Sequence, residues 1–140
     1  PEYAAKYPFQ PPERFVPTAV ALNCGVYRAP VSEDEKDQSN LLMADLLPER
    51  GTKDEYEKIS LVNYVTSQYP PVFLMTATGD FLREQAPLLV EKLMEFEIPF
   101  VYRYYGSAER PLGHVFHCNI RLQEASRCND EECEFFRSYC

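Results

Sequence analysis

The sequence predicts an α/β domain with about three parallel strands and flanking helices. Three apolar runs have the length of strands: TAVALNCGVY (18–27), VFLMTAT (72–78) and PFVYRYYG (99–106). Segments of helical character separate these runs, and another follows the last one. Strands that alternate with helices favour a parallel sheet with right-handed crossovers.

Each strand has its own signal. The run 18–27 is almost continuously apolar, which is typical of a strand buried on both faces. The second run follows Pro70 and Pro71, which cannot sit inside a central ladder, so we expect that strand to start at Val72. Residues 1–17 are rich in proline and aromatic side chains without a clear period, and they predict an irregular lead-in.

Residues 29–69 predict a helical excursion over the sheet. It contains the acidic segment VSEDEKDQSN (31–40), a short amphipathic helix LLMADLLP (41–48) stopped by Pro48, and the polar segment GTKDEYEKIS (51–60). Asp34, Asp37 and the neighbouring glutamates could suggest a metal site, but a charge run of this kind is usually a solvated helix face. We therefore expect no chemistry in the excursion.

Two further helices complete the pattern. The segment 87–96 predicts a helix that carries Pro87 in its first turn and places three apolar residues at helical spacing: Leu89, Leu93 and Phe96. The tail 119–140 also predicts a helix, and the sequence Asn129-x-x-Glu132 resembles a cap that would restart it.

Length and charge limit the classes of function. A chain of 140 residues with 45% hydrophobic residues is the size of a single domain, and we take 1–140 as one domain. The formal net charge of −8, without a basic stripe, argues against nucleic acid or an anionic membrane as a partner. The apolar runs are far shorter than the roughly 20 residues that cross a bilayer. A cytoplasmic protein without a membrane span is the expectation.

The cysteines predict neither a disulfide framework nor a metal centre. There are five of them, an odd number, and no two form a C-x-x-C pair; they are Cys24, Cys118, Cys128, Cys133 and Cys140. We interpret them as reduced thiols and expect no metal and no cofactor.

An acid and two imidazoles follow neighbouring strands. Asp80 lies after the second apolar run, and His114 and His117 lie after the third. The carboxyl ends of parallel strands meet at one edge of a sheet, about 4.8 Å apart. A carboxylate that accepts a hydrogen bond from one imidazole nitrogen leaves the other nitrogen to take a proton from a hydroxyl. Each residue alone also has a plain structural interpretation, as a turn residue or a loop histidine.

The stretch PPVFLMTATGDFLREQAPLLVEKLMEFEIPFVYRYYGSAERPLGHVF (70–116) resembles the C-terminal part of α/β-hydrolase fold esterases and lipases, in particular the acetyl-esterase and hormone-sensitive-lipase-like group. That group has a strand after Pro-Pro, a loop with the triad acid, a helix, a strand ending in Tyr, and a loop with His-Gly-Phe. The resemblance spans about residues 18–139 and is most specific over 70–116. It implies a partial α/β-hydrolase fold.

The resemblance also implies roles for individual residues. Asp80 matches the triad acid, Leu82 and Glu84 match the positions that follow it, and His114 matches the triad base. The family's His-Gly-Phe is here His-Val-Phe, and His117 is a competing imidazole. We favour His114 because a phenylalanine lies two residues after it, as in the family.

The chain departs from the family in lacking a nucleophile. The fold carries its serine in G-x-S-x-G, but no two of the five glycines are four residues apart, and the oxyanion segment is absent too. Cys24, in Asn23-Cys24-Gly25, is the nearest imitation, and we interpret it as a small apolar strand residue. We therefore expect the serine to lie before residue 1, which would make the chain the C-terminal half of a carboxylesterase for small acyl esters.

Two other classes stay open. One is a non-catalytic α/β binding or interaction module, and the first strand discriminates it from a segment of a larger protein. Cut from a larger sheet, that strand would present an unpaired apolar edge, which predicts a homodimer through this edge or marginal stability. A flavodoxin-like receiver or nucleotide-binding domain also alternates strands and helices, but a Gly-rich first loop and an early acidic pair are missing.

Overall fold

A parallel three-stranded sheet forms the centre of the molecule. The computed structural model describes residues 15–29 and 37–139. Strands β1 (Val20–Asn23), β2 (Val72–Ala77) and β3 (Phe100–Tyr105) pair in parallel in the order β1-β2-β3. The prediction of three parallel strands with flanking helices is confirmed. Most of the expected lead-in and most of the acidic segment lie outside the described residues.

The central strand is the one that the apolar pattern describes best. β2 starts at Val72, as the proline pair predicts, and all six of its residues are buried. Its alternate side chains enter two different clusters of buried residues, Phe73 and Met75 in one, Val72 and Leu74 in the other. Because successive side chains of a strand point to opposite faces, β2 supplies the core on both sides of the sheet.

The first strand is shorter and less buried than expected. The prediction of a strand over 18–27 buried on both faces is wrong: β1 has four residues, all half-buried. Among the described residues, β1 pairs with β2 on one side only. The strand ends because Cys24, directly after it, has a φ of 52°, a left-handed conformation that cannot continue a ladder.

The described part of the excursion from residue 37 onward contains two helices, α1 (Gln38–Leu46) and α2 (Lys53–Ile59), and a 3-10 turn (Leu61–Asn63). Asp37 caps α1, since its carboxylate accepts the Ser39 N–H at 2.8 Å. Thr52 and Glu55 form a capping box at the start of α2. These caps explain why polar residues begin both helices.

The prediction of an amphipathic helix at α1 is wrong about the burial of its apolar side chains. No residue of this helix is buried, and Leu41, Leu42 and Leu46 are 54%, 61% and 67% exposed. α1 ends at Leu46, shortly before Pro48, as expected. Its apolar side chains therefore face solvent instead of the core.

One helix covers each face of the sheet. α3 (Gln85–Glu95) has Pro87 in its first turn, and its Leu89 and Leu93 pack in the cluster that contains Val72 and Leu74. The helix α4 (Gln123–Arg137) contributes three residues to the opposite cluster: Ala125, Cys128 and Phe135. The helix predicted between the second and third strands and the helix predicted in the tail are both confirmed.

The expected helix restart at Asn129 is wrong. α4 is continuous from Gln123 to Arg137, and Asn129 lies inside it. Its side-chain amide donates to the carbonyl oxygen of His117 at 3.2 Å instead of capping a new helix. Among the described helices, none has the length and hydropathy that a bilayer crossing requires.

Candidate active site

The loops after β2 and β3 are joined through their backbones. Gly79 pairs with Gly113 in an isolated parallel bridge, and the Gly79 N–H donates to the carbonyl oxygen of Leu112 at 2.8 Å. A Cβ on Gly79 would lie 2.9 Å from that oxygen, so only glycine permits this approach without a shift. The close backbone contact brings the residues that follow each glycine, Asp80 and His114, to the same place.

Asp80 is a fully buried carboxylate with several hydrogen-bond donors. Its exposed fraction is 0%. Oδ1 accepts from the Leu82 N–H at 2.9 Å and contacts His114 Nδ1 at 2.8 Å. Oδ2 accepts from the hydroxyl of Thr76 at 2.8 Å. The carboxylate is therefore held on both oxygens, as a buried charge requires.

Burial and hydrogen bonding act on Asp80 in opposite directions. Burial alone would raise the pKa of this carboxyl, since it disfavours the charged form. The hydrogen bonds from the Leu82 N–H, Thr76 and His114 stabilise the carboxylate, and together they hold the pKa of Asp80 below its ordinary value. Asp80 is thus an anion at neutral pH.

His114 lies between this buried anion and solvent. Its side chain is 32% exposed, and its Nδ1 points to Asp80. The Phe81 ring lies against the imidazole with a centroid distance of 4.6 Å. A proton on Nδ1, donated to the carboxylate, leaves Nε2 as a free base directed away from Asp80. The pair expected from the sequence is in contact.

The loop that carries His114 has an unusual backbone. Val115 has a φ of 47°, in the left-handed region where a β-branched residue is strained by about 1–3 kcal/mol. This is the position at which the family motif has glycine. The next residue, Phe116, is buried with its ring 5.3 Å from that of Tyr105 at the end of β3, and it anchors the loop.

The competing imidazole, His117, has other surroundings. Its Nε2 lies 3.5 Å from the side-chain nitrogen of Asn23 and 3.8 Å from the thiol of Cys118. Desolvation lowers the pKa of His117, and the nearby Glu132 opposes this effect. His117 has no hydrogen bond to Asp80, so the preference for His114 agrees with the contacts.

Cys24 is closer to the pair than its interpretation as a strand residue implied. It follows β1 and is 4% exposed. Its thiol donates to the Met75 sulfur at 3.8 Å and lies near the Asp80 carboxylate. Burial raises the pKa of this thiol to about 12, so it is protonated at neutral pH. Cys24, Cys118, Cys128 and Cys133 are free thiols, and Cys140 lies outside the described residues.

Cys24, Asp80 and His114 also present one ligand atom each within 4.8 Å of one another. Sulfur, oxygen and nitrogen ligands of this kind can bind zinc. Here the Asp80 oxygens already accept hydrogen bonds from three partners, and the thiol carries its proton. The described contacts are those of a hydrogen-bonded cluster.

Sequence reasoning missed two residues of the site. The apolar pattern assigns Thr76 only to a strand, although a hydroxyl in a fully buried run is itself a signal that a buried partner exists. Phe81, directly after Asp80, is 75% exposed and contacts the imidazole. Of the residues expected after the acid, Leu82 donates its N–H to Asp80, whereas the Glu84 side chain is exposed and pairs with Arg83.

Comparison with known proteins gives structural neighbours only. No protein-family model and no curated protein matches the chain. Esterase B from Lactobacillus rhamnosis HN001 matches with a TM-score of 0.69 and 19% identity, over 87% of this chain and 40% of that one. The same esterase in a C6-C4 SN3-inhibited form matches with a TM-score of 0.72 and 21% identity, over 87% and 41%. A form inhibited by a tributyrin phosphonate matches with a TM-score of 0.67 and 21% identity, over 87% of this chain and 40% of that one.

These matches establish the fold. The three parallel strands and their helices correspond to a part of the α/β-hydrolase fold of an esterase, which confirms the predicted fold class. The chain spans about 40% of the length of these neighbours.

Two substitutions separate the effect of the Thr76 hydroxyl from the effect of the volume of its side chain. We expect Thr76→Val, which removes the donor to a buried carboxylate, to lower the free energy of unfolding by about 1.5–3 kcal/mol and to raise the pKa of Asp80. Thr76→Ser loses a methyl group, at about 0.8 kcal/mol, and keeps the pKa low. Denaturant unfolding and a ¹³C NMR titration of the Asp80 carboxyl measure both. An unchanged Asp80 pKa in Thr76→Val contradicts the role.

The lowered pKa of Asp80 also predicts how stability changes with pH. A carboxyl with a lower pKa in the folded than in the unfolded state stabilises the fold above the unfolded value of about 3.9, and this contribution disappears as pH falls through the folded pKa. We therefore expect the difference in unfolding free energy between the unmodified chain and Asp80→Asn to be largest above about pH 5 and to shrink below about pH 4. A difference that grows on acidification contradicts the shift.

Proposed function

We propose that this chain is the C-terminal segment of a serine hydrolase, a carboxylesterase of the acetyl-esterase and hormone-sensitive-lipase-like group that acts on small acyl esters. In this proposal residues 1–140 are one domain segment that carries the acid and the base of the triad. Asp80 is the acid and His114 is the base. The serine and the oxyanion donors belong to a part of the protein outside this chain.

One observation carries the proposal: the 2.8 Å contact between His114 Nδ1 and the fully buried Asp80 carboxylate at the carboxyl edge of a parallel sheet. A buried carboxylate beside Nδ1 fixes the tautomer in which Nε2 is the base. Because Asp80 is held on both oxygens, it can stabilise an imidazolium without taking its proton. The imidazole, whose side chain is 32% exposed, is accessible to a substrate and to a nucleophile.

The proposed chemistry is acyl transfer. His114 Nε2 removes the proton of the serine hydroxyl while the oxygen attacks the ester carbonyl, and the imidazolium then returns that proton to the leaving alcohol. The Asp80 charge stabilises the imidazolium in between. Water repeats the sequence on the acyl-enzyme and releases the carboxylic acid. This chain alone supplies the proton transfers but no attacking oxygen, so it has little hydrolytic activity by itself.

The structural neighbours support the class of substrate. They are named as an esterase, and one of them is inhibited by a tributyrin phosphonate. A fold can host many reactions, so the neighbours' activity is support only when combined with the acid and base at the sheet edge.

A non-catalytic interaction module is the second candidate. The observation that bears on it is the edge of β1. Among the described residues β1 pairs on one side only, as a strand of a segment cut from a larger sheet also would, and another strand or a second copy of the chain can pair with this edge. In that case the chain forms a homodimer through β1, and the contact of Asp80 with His114 is structural.

Substitution of the base separates these candidates. In the full-length protein that contains this chain, we expect His114→Ala to lower kcat for p-nitrophenyl butyrate by about 10²- to 10⁴-fold, because the general base is lost. His117→Ala is the matched control, since His117 belongs to the same loop but does not contact Asp80. Equal losses in both variants, or no loss in His114→Ala, exclude the catalytic proposal and leave the interaction module.

A further inference from the structure

An apolar groove of about 390 Å³ lies beside the candidate pair. It is bounded by α1, by the segment that follows β1, by the end of α2, and by the residues after Asp80. Its large apolar walls include Val26, Leu42, Met43, Leu46, Ile59 and Phe81. The groove has no charged side chain among its described lining residues.

The groove reaches the imidazole through one ring. Phe81 is a wall of the groove and also lies 4.6 Å, centroid to centroid, from His114. This ring is 75% exposed, although a phenylalanine usually gains from burial. A molecule that filled the groove would therefore cover Phe81 and end next to the candidate base.

Helix α1 forms one wall of the groove and buries none of its side chains in the core. None of its residues is buried, and Leu42 and Leu46 are 61% and 67% exposed on the side that lines the groove. Leu41 is exposed on the same helix but is not among the lining residues. Contiguous exposed apolar side chains around a concavity are typical of a binding site for an apolar ligand.

A second depression has the same volume, but its lining includes charged side chains. It also measures about 390 Å³, but its lining includes Arg28, Lys53 and Glu57, and neither Phe81 nor His114 belongs to it. A hydrocarbon chain there would remove these charged groups from water and offer them no hydrogen bond in return, which is unfavourable. The groove beside Phe81 is the one suited to an apolar ligand.

We propose that this groove binds the hydrocarbon chain of the ester substrate and that it selects chains longer than acetyl. The position of the ester carbonyl near His114 rests on the function proposed above, whereas the binding of an alkyl chain does not. A volume of about 390 Å³ far exceeds what a methyl group fills. The affinity should therefore rise with chain length until the groove is full.

The expected size of the effect follows from the transfer of methylene groups. Each buried CH₂ contributes about 0.8 kcal/mol, which corresponds to about a fourfold increase in affinity. Open sides of the groove reduce this value, so a gain between about two- and fourfold per methylene is expected.

The first experiment uses the 140-residue chain and no chemistry. 1-Butanol, 1-hexanol and 1-octanol are titrated into ¹⁵N-labelled protein, and Kd is taken from the amide shifts of residues around the groove. We expect Kd to fall by about two- to fourfold per methylene. Leu42→Gln and Leu46→Gln should each weaken octanol binding severalfold, whereas Leu41→Gln should not. A Kd independent of chain length, or equal effects of all three variants, overturns the proposal.

The second experiment uses the full-length protein and p-nitrophenyl acetate, butyrate, hexanoate and octanoate. We expect kcat/KM to rise from acetate to at least butyrate. Leu42→Gln and Leu46→Gln should lower kcat/KM for the longer esters more than for acetate, whereas Leu41→Gln, outside the groove lining, should leave the whole series unchanged. If the protein binds alkanols but does not hydrolyse esters, the esterase function is disproved and the proposal that the groove binds an alkyl chain stands. If it hydrolyses esters and neither variant changes the preference for chain length, the groove proposal is overturned and the esterase function stands.

Discussion

The hydrogen bond between the buried carboxylate of Asp80 and Nδ1 of His114 is the interaction on which the rest of this edge of the molecule depends. An ionised carboxylate at 0% exposure is tolerated only when both oxygens have partners. Those partners come from three different places: the central strand, the loop after it, and the loop after β3. The joined backbones at Gly79 and Gly113, the left-handed φ of Val115 and the buried ring of Phe116 all hold the two loops in the one arrangement that satisfies this charge.

The sheet makes that arrangement rigid. β2 is buried on both faces, and the same strand that packs against α3 and α4 also places the Thr76 hydroxyl beneath the carboxylate. The charge is therefore fixed by the core and not by surface loops alone. Function of the proposed kind needs such an arrangement, because a base can act on a hydroxyl only if its own orientation and tautomer are fixed before substrate binds.

Much of this could be predicted from sequence, for physical reasons that differ by element. The buried run at 72–78 and the spacing of Leu89 and Leu93 carry their periods in the residues themselves, so β2 and α3 were predicted correctly. The length of β1 was wrong because the backbone at Cys24 turns left-handed, which no apolar pattern records. The exposure of α1 does not follow from its apolar spacing, because Leu42 and Leu46 line a groove and not the core. Thr76 was missed because its partner lies four residues away, beyond the strand end.

The central claim is that Asp80 fixes the tautomer of His114, and ¹⁵N NMR of the histidine side chains tests it most directly. In the neutral imidazole, we expect the His114 spectrum to show a proton on Nδ1 and a free Nε2, with an Nδ1–H resonance far downfield that disappears in Asp80→Asn. His117 should keep its spectrum in that variant. A proton on Nε2 of His114, or an imidazole unaffected by Asp80→Asn, would contradict the claim.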